Sequence, residues 1–385
     1  MEFDLNDEQI DIRDIVRHFT EEEIAPHATA WDEEHYFPRE VYRKMAGLGL
    51  MGMTVPEAYG GTMLNCLSAV LVYEELAKGD MATAVGLSVH NMVTGTLARL
   101  GSDEQRQHWV TRLAAGELLA AFSLSESASG SDASSLQCRA ERRDDAGDVC
   151  YILNGNKMWV TNGGEADLYL VMARTQAGRD KHGISSFIVE KGTPGFSFGK
   201  TERKMGLHSS PTRELLFDQC AIPATHRLGE EGQGFKIALS TLNSGRINIG
   251  AVAVGVAQAA LDVACNYALE RQQFGKAIAT FQAIQFMLAD MAMKIEAARL
   301  LVYQAAYKLD SGQDAGMYVS MAKCFATDTA MEVTTNAVQV LGGAGYVRDY
   351  PVERYMRDVK VAQIFEGTNQ IQRIVIARAL LGNIR

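Results

Sequence analysis

The chain has 385 residues, of which 47% are hydrophobic and 22% charged. This balance is typical of a folded globular protein and excludes intrinsically disordered and collagen-like chains. The net charge is -10 and no block of basic residues interrupts the sequence, so we expect no nucleic-acid partner.

The cysteines and the apolar segments restrict the chemistry further. The six cysteines lie far apart and form no CxxC pair, which favours reduced thiols over a disulfide framework or a metal site. No unbroken apolar run has membrane-spanning length, so we expect no membrane insertion. The first residues are acidic and helix-periodic, unlike a targeting leader. We therefore expect a cytoplasmic bacterial protein, or a mitochondrial matrix protein if a transit peptide has been removed.

Helical patterns occupy the first third of the chain. Asn6 has the residue type of an N-cap, and apolar residues recur after it at helical spacing until Pro26. Further helical patterns cover 39–49, 67–79 and 103–116, separated by glycine-rich breaks. These segments predict an N-terminal α-helical domain over residues 1–117.

The pattern changes at about residue 118. Short segments rich in aliphatic and aromatic residues, each bounded by turn-forming residues, lie at 118–127, 149–163, 166–175, 184–192 and 214–222. Such segments are typical of strands, and Asn154-Gly155 has the composition of a two-residue hairpin turn. We expect a middle antiparallel, barrel-like β domain over residues 118–229.

Long helical patterns return in the last part of the chain. They cover 247–274, 281–312, 318–343 and about 370–381, and the first is apolar almost all round. A helix of that kind is buried by neighbours on several sides. We expect a C-terminal four-helix bundle over residues 230–385, and so a mainly α protein with a central β domain.

Several motifs are individually weak. "GLGLMG" at 47–52 matches the GxGxxG fingerprint, but a helical segment precedes it where a strand is required, so we interpret it as a turn. The loop "SLSESASGSD" at 123–132 offers N–H and hydroxyl donors for anionic oxygens, or is simply a loop. Trp159 and Thr161 lie on one face of a strand, which suits a planar heteroaromatic ring, although a core tryptophan is the alternative.

Three breaks between the C-terminal helices add to this set. "ERQQFGKAIATFQ" at 270–282 joins two helices, and "QVLGGAGYVRDYPVERYMRD" at 339–358 carries a glycine run that lets backbone approach a ligand. "QIFEGTNQIQR" at 363–373 places Glu366 between a phenylalanine and a glycine. Glu366 is either a solvated acid at a helix start or a base held in a dry pocket.

Together these motifs carry a family resemblance. "SESASGSD", "KMWVTNGG", "RQQFGKAIATFQ", "QVLGGAGY" and "IFEGTNQIQR", in this order and spacing, resemble the acyl-CoA dehydrogenases over essentially the whole chain. The resemblance implies an FAD cofactor, an acyl-CoA substrate, an electron-transfer flavoprotein as partner and a homotetramer built as a dimer of dimers. It also implies the same order of α, β and α domains.

The resemblance assigns roles residue by residue. The residues that match FAD-binding positions are Phe122, Leu124, Ser125, Gly130, Ser131, Trp159, Val160, Thr161, Arg271, Phe274, Phe281, Gln282, Gln339, Val340, Gly342, Gly343, Thr368, Asn369 and Gln370. The residues that match acyl-CoA contacts are Ser131, Asn243, Ser244, Gly245, Arg246, Gly367 and Arg378. Of the first group, the segments around 271–282 and 339–343 are implied to reach the FAD of a neighbouring subunit.

The implied reaction needs a base. The α-C–H of an acyl thioester is weakly acidic, so desaturation requires a base on one face and a hydride acceptor on the other. The resemblance makes Glu366 the base, with its pKa raised by desolvation. A minority of the family carries the base at the position of Gly245, and glycine has no carboxylate. We therefore assign the base to Glu366.

The most detailed prediction concerns which acyl chain the substrate carries. "HNM" at 90–92, "SSPTR", "GRINI" and "LADMA" resemble the isobutyryl-CoA dehydrogenases of valine breakdown. Trp159-Val160-Thr161, Ser125 and Ser127 depart from that subgroup or from the family pattern. A straight short-chain or 2-methylbutyryl-CoA dehydrogenase, a flavin oxidase or monooxygenase, and a helical binding protein without flavin remain as competing hypotheses.

Overall fold

Helices, a sheet and again helices follow one another along the chain, so the predicted order of structural regions is confirmed. The computed structural model describes residues 5–145, 148–178 and 180–382. The domain limits at 117/118 and 229/230 stay predictions.

Among the described residues of the N-terminal region, all regular secondary structure is helical, including short 3-10 helices at Leu50–Gly52 and Glu57–Tyr59. Its helices are α1 (Asp7–Glu23), α2 (Ala28–Glu34), α3 (Arg39–Gly47), α4 (Cys66–Gly79), α5 (Met81–Leu100), α6 (Asp103–Gln105) and α7 (Thr111–Ala114), with a π-helical turn at Arg106–Val110. The predicted N-cap is confirmed, because the Asn6 side chain accepts a hydrogen bond from the Gln9 N–H and the Gln9 side chain accepts one from Asn6.

The sequence pattern did not predict α5. This helix is buried on almost every side, so its apolar residues show no one-sided period from which a helix could be recognised. Asp80 separates it from α4 and caps it, since the Asp80 carboxylate accepts hydrogen bonds from the N–H and the hydroxyl of Thr83.

The middle region is one sheet. Its strands are β1 (Ala120–Ser123), β2 (Arg139–Asp145), β3 (Asp148–Thr161), β4 (Leu168–Arg174), β5 (Ile184–Glu190), β6 (Phe196–Thr201), β7 (Thr212–Pro223) and β8 (Arg227–Leu228). The strand order is β6-β7-β3-β2-β4-β5-β8, and β1 also pairs with β4. Most pairs are antiparallel, as predicted, but β4 pairs in parallel with β1 and with β2.

The predicted hairpin turn at Asn154-Gly155 is wrong. Both residues lie inside β3, where Asn154 pairs with Arg139 of β2. The register of β3 against β7 shifts between Leu153 and Gly155, so the dipeptide marks a β-bulge. Gly155 has a φ of +135°, and a Cβ there would lie 2.9 Å from the Cα of Cys138. The glycine therefore serves a close backbone crossing and not a chain reversal.

The C-terminal region contains the bundle. Its elements are α8 (Gly234–Glu270), the short strands β9 (Gln272–Gln273) and β10 (Lys276–Ala277), and the helices α9 (Gln282–Asp310), α10 (Gly316–Leu341), α11 (Gly343–Tyr346), α12 (Val352–Val359) and α13 (Asn369–Leu381). Helix α10 packs against α8, α9 and α13, while α4 and α5 pack against α8.

Helix α8 is the core helix of the protein. By length and hydropathy alone it could cross a membrane, but 83% of its most apolar window is buried against other parts of the chain. Its small residues allow close approach, as at Gly255, where a Cβ would lie 2.1 Å from the Glu74 carbonyl oxygen of α4. The N-terminal and C-terminal helices thus share one interior.

A buried ion pair connects the loop after β1 to β3. The Lys157 ammonium lies 2.7 Å from Oε1 of Glu126 and 3.1 Å from the Leu124 carbonyl oxygen. The Glu126 carboxylate also accepts hydrogen bonds from the N–H groups of Gln137 and Cys138. Because each polar atom has a partner, the pair holds the 124–138 loop against the strand that carries Trp159.

Candidate active site

Glu366 lies in a tight turn between two helical segments. A 3-10 helix ends at Gln363, and α13 begins after Thr368, whose hydroxyl accepts a hydrogen bond from the Ile371 N–H. Between them Glu366 and Gly367 have φ values of +56° and +87°. A left-handed conformation is easy for glycine but costs energy for glutamate, so the surrounding contacts must hold this turn in place.

Three side chains hold the carbonyl groups of this turn. Arg246 of α8 donates a hydrogen bond from Nε to the Glu366 carbonyl oxygen at 3.0 Å. Lys323 of α10 donates to the Gly367 carbonyl oxygen at 3.0 Å. Gln372 of α13 donates to both carbonyl oxygens, at 3.2 and 3.0 Å. Three helices of the bundle therefore fix the position of one short turn.

The Glu366 carboxylate is held in a dry environment. The residue as a whole is half-buried, but its Oε2 atom is buried without a hydrogen-bond partner. Burial raises the pKa of Glu366 from 4.5 to about 7, while the positive charges of Arg246 and Lys323 act in the opposite direction. A carboxyl group with this pKa can accept and release a proton near neutral pH.

Gly245 and Met92 line the side of Glu366. A Cβ at Gly245 would lie 2.7 Å from Oε2 of Glu366 and 2.5 Å from the sulfur of Met92. The Glu366 carboxylate thus occupies the space that a side chain at position 245 would need. Met92 is buried in α5, so the N-terminal helices contribute an apolar wall next to the carboxylate.

Arg246 also contacts Asn243, which precedes it by one turn of α8. Its Nη1 donates a hydrogen bond to Oδ1 of Asn243 at 2.9 Å, one helical turn earlier. Asn243, Gly245 and Arg246, which the sequence assigns to acyl-CoA, are therefore brought together with Glu366 and Gly367. Ser244 lies on the same turn of α8, and its hydroxyl donates to the Thr241 carbonyl oxygen.

A second group of predicted residues lies at the end of β3. Pairing with β7 is interrupted between Lys157 and Val160, and Trp159 has a φ of +61° with an indole that is 57% exposed. The alternative interpretation of Trp159 as a core residue is therefore wrong. The Met158 N–H donates to the Ser125 carbonyl oxygen at 2.8 Å, which joins this strand to the loop after β1.

These residues fit a flavin. The exposed indole of Trp159 offers a flat apolar surface, and the Thr161 hydroxyl has no partner among the described residues. In the loop, the Ser131 hydroxyl is likewise without a partner in the described chain, and the buried hydroxyl of Ser123 is unpaired. A planar surface followed by unpaired hydroxyl donors suits a ring system with a polar, phosphate-bearing tail.

A third group of predicted residues lies on the surface. Arg271 and Phe274 are exposed at the β9-β10 hairpin, and the Phe274 ring, 93% exposed, meets Phe281 edge to face at 6.0 Å. Gly342 and Gly343 are exposed after α10, and a Cβ at either would meet nothing within 4 Å. Within the described chain these residues do not converge on Glu366.

The remaining predicted residues are divided between these groups. Phe122, Leu124 and Gly130 belong to β1 and the loop after it, and Gln339 and Val340 belong to the end of α10. Asn369 is buried beside Lys323, whereas Gln282, Gln370 and Arg378 are exposed at or within helices. Their roles toward FAD and acyl-CoA stay predictions.

Sequence reasoning missed four residues that shape the site: Met92, Lys323, Gln372 and the ion-paired Lys157. Lys323 had a signal, because it is a lone lysine on the face of α10 that also presents Val319 and Ala326 to the core. Gln372 and Met92 had none, because a glutamine in a helix and a methionine in an apolar run are ordinary residues.

Comparisons with known proteins identify the family. Models of the acyl-CoA dehydrogenase N-terminal, middle and C-terminal domains match residues 6–117, 121–220 and 232–381. The chain belongs to the acyl-CoA dehydrogenase family. An acyl-CoA dehydrogenase of Bacillus subtilis is 49% identical over 97% of this chain and 98% of its own. A mitochondrial isobutyryl-CoA dehydrogenase of Dictyostelium discoideum is 44% identical over 98% and 90%.

Solved structures give the same result. A chain from work on the electron-transferring flavoprotein of Acidaminococcus fermentans and flavin-based electron bifurcation has a TM-score of 0.97 and 49% identity, with 100% of both chains covered. Butyryl-CoA dehydrogenase from Megasphaera elsdenii has a TM-score of 0.96 and 45% identity, covering 99% and 100%. An FAD complex of PigA has a TM-score of 0.94 and 33% identity, covering 99% of each chain. The protein is an FAD-dependent acyl-CoA dehydrogenase.

The pKa of Glu366 predicts how stability depends on pH. The folded-state pKa of about 7 lies above the ordinary value of 4.5, so the folded protein binds more protons than the unfolded chain between these values. Stability contributed by the protonated carboxyl is complete below pH 4.5 and is lost as the pH rises through 7. We expect Glu366→Gln to remove this loss and to be more stable than the wild type at pH 8 by about 1 to 3 kcal/mol.

Denaturant unfolding of both proteins at pH 5 and pH 8, with equal FAD, measures the difference. The advantage of Glu366→Gln should be larger at pH 8 than at pH 5. An advantage that is the same at both values would show that the carboxyl group does not titrate in this range.

Proposed function

We propose that this enzyme desaturates short, branched acyl-CoA thioesters such as isobutyryl-CoA, with Glu366 as the base that removes the α-proton. The observation that carries the proposal is the buried, unpaired Oε2 of Glu366 beside Met92 and Gly245. Leaving an acceptor atom unpaired in an apolar pocket destabilises the free enzyme. The same atom can accept the α-proton when the substrate places its C–H bond next to it.

The residues around Glu366 perform the proton transfer. With a pKa near 7, about half of the carboxyl groups are ionised at neutral pH and available as a base. Arg246 and Lys323 favour the ionised form. Their hydrogen bonds to the Glu366 and Gly367 carbonyl oxygens hold the backbone of the turn that carries the carboxylate. The turn is therefore positioned before substrate arrives.

The other half of the reaction needs a hydride acceptor and an anion site. Bound FAD supplies the acceptor for the hydride that leaves the β-carbon. Among the described residues nothing accepts a hydrogen bond from the Gly367 N–H. We propose that this N–H donates to the thioester oxygen as negative charge develops on it, because a free backbone donor next to the base is placed for that task.

The proposed acyl chain is short and branched. Met92 occupies space next to Glu366, and an apolar side chain at this point favours a short acyl group. The 44% identity to an isobutyryl-CoA dehydrogenase supports a branched chain, while the 45% identity to butyryl-CoA dehydrogenase supports a straight one. Because one methylene changes selectivity by only about 1 to 3 kcal/mol, kinetics must decide between them.

We further propose that electrons pass to an electron-transfer flavoprotein and that the enzyme is a homotetramer in the cytoplasm. The similarity to the Acidaminococcus fermentans chain supports electron transfer to this partner.

The proposed homotetramer is supported by helix α9. Its exposed apolar residues recur at every seventh position, namely Phe286, Met293, Leu300 and Tyr307. Such a stripe on a long helix is typical of a surface covered by another subunit. The free cysteines in the described chain are consistent with a reducing compartment.

The role of Glu366 is tested by Glu366→Gln. The amide keeps the shape of the side chain but removes its proton affinity, so FAD and acyl-CoA should bind while flavin reduction slows by about 10²- to 10⁴-fold. Anaerobic stopped-flow absorbance at saturating isobutyryl-CoA measures this step directly. In the wild type the rate should rise with pH through about 7. A variant that reduces its flavin at the wild-type rate would remove Glu366 from the mechanism.

The acyl chain and the electron acceptor are tested on the wild type. We expect kcat/KM to be highest for isobutyryl-CoA among the isobutyryl, 2-methylbutyryl, butyryl and octanoyl thioesters. A butyryl-CoA optimum would favour the straight-chain alternative, and an octanoyl-CoA optimum would contradict a short pocket. Fast reoxidation of the reduced flavin by air, with release of peroxide, would identify an oxidase instead.

Arg271 connects the cofactor to the assembly. If its exposed guanidinium binds the FAD pyrophosphate of a neighbouring subunit, Arg271→Ala should lose flavin and lower the molar mass together. Flavin absorbance and light scattering after gel filtration measure both quantities. Arg43→Ala removes an equally exposed arginine of α3 and serves as the control. Full flavin content and unchanged mass in Arg271→Ala would contradict this role.

A further inference from the structure

Lys323 is a buried cation directly behind the catalytic turn. It lies in α10 with no exposed surface, and its ammonium donates to the Gly367 carbonyl oxygen at 3.0 Å and to Oδ1 of Asn369 at 2.8 Å. The Asn369 amide group is itself fixed, because it donates to the Thr327 hydroxyl and to the Asp328 carboxylate. Hydrogen bonds therefore join Lys323 both to the turn and to the fixed Asn369 side chain.

The hydrogen bonds of Lys323 do not explain why it is charged. Both acceptors are neutral amide oxygens, which a neutral donor could satisfy at a much lower desolvation cost. Within the described chain no carboxylate forms an ion pair with Lys323. The charged and titratable groups that act on it are Glu366, Cys324, Arg246 and Asp328, and of these Glu366 exerts the strongest attraction.

Lys323 also stabilises the backbone conformation of the turn. Glu366 and Gly367 are consecutive left-handed residues, and left-handed backbone at a non-glycine residue costs on the order of 1 kcal/mol or more. Arg246 and Gln372 hold the Glu366 carbonyl oxygen, whereas Lys323 is the cation on the Gly367 carbonyl oxygen. Without Lys323, only the neutral Gln372 amide would hold the second half of the turn.

We propose that Lys323 is a positioning residue of the dehydrogenation reaction: its ammonium fixes the Glu366–Gly367 turn and supplies positive charge that keeps the buried Glu366 carboxyl ionisable. This inference rests on the proposed role of Glu366 as base. Burial itself acts against the ammonium and lowers the pKa of Lys323 to about 8. At neutral pH the cation is therefore present when Glu366 must be ionised.

Two variants separate the charge from the hydrogen bond. Lys323→Gln keeps a donor for the Gly367 carbonyl oxygen and removes the charge, while Lys323→Met removes both. The protonation of Glu366 is measured without turnover, from the pH dependence of the carboxyl infrared band in the substrate-free holoenzyme. The spectrum of Glu366→Gln is subtracted to assign the band. Flavin reduction by isobutyryl-CoA is then followed between pH 6 and pH 9.

In both lysine variants the midpoint of the Glu366 band should move up from about 7 by about one to two pH units. Flavin reduction at pH 7 should then fall by about 5- to 50-fold in Lys323→Gln and recover as the pH rises. Lys323→Met should recover only in part, because its turn is less well held. Lys294→Met is the control, since it removes an exposed lysine of α9 that pairs with Glu332, and its Glu366 midpoint should stay unchanged.

Three outcomes would overturn the inference. An unchanged Glu366 midpoint in Lys323→Gln would show that the charge has no effect on the base. A rate loss that is equal at every pH would reduce Lys323 to a structural residue, as would failure of both variants to fold. A failure of the proposed function is distinct, because Glu366→Gln would then reduce its flavin at the wild-type rate, whatever happens to the infrared midpoint.

Discussion

The proposed mechanism depends on a carboxylate, Glu366, that must be dry enough to be basic and still able to ionise near neutral pH. Burial alone would keep Glu366 protonated, because a low dielectric disfavours the charged form. Arg246 and Lys323 oppose that effect, and they approach from two different helices of the bundle. In the proposed mechanism, the packing of α8, α10 and α13 around one turn therefore serves the chemistry as well as stability.

The proposed mechanism also explains why the two groups of site residues lie on different parts of the fold, one on the sheet and one on the bundle. In the proposed mechanism the base and the hydride acceptor would lie on opposite faces of the acyl chain. The bundle supplies the Glu366 turn, while the end of β3 presents Trp159 and Thr161 beside the hydroxyl-rich loop. The buried pair of Lys157 and Glu126 holds that loop against β3, and side chains of three helices hold the Glu366 turn.

The sequence was most informative about features that depend on residues close together along the chain. Helix periodicity, strand composition and the Asn6 cap predicted the order of the helical and β regions, although β2, β6 and β8 were not predicted. It failed where tertiary packing decides: α5 is buried on all sides and shows no period, and Asn154-Gly155 forms a bulge because Cys138 crosses close to it. The motif drew attention to Glu366, and its role as the base stays a prediction. Lys323 and Met92 act on Glu366 from distant parts of the chain, and no local pattern predicts such a meeting.

A single chain leaves several large apolar side chains exposed to solvent. Phe274 and Tyr346 are almost fully exposed, and the apolar stripe on α9 runs along most of that helix. Scattered apolar residues on a surface need no explanation, but a continuous stripe together with two exposed aromatic rings does. The proposed tetramer accounts for all three, because Phe274 and Tyr346 flank the segments that the family resemblance directs to a neighbour's FAD. Cofactor binding and subunit assembly would then depend on the same contacts, so that flavin affinity and quaternary stability are two measures of one interaction.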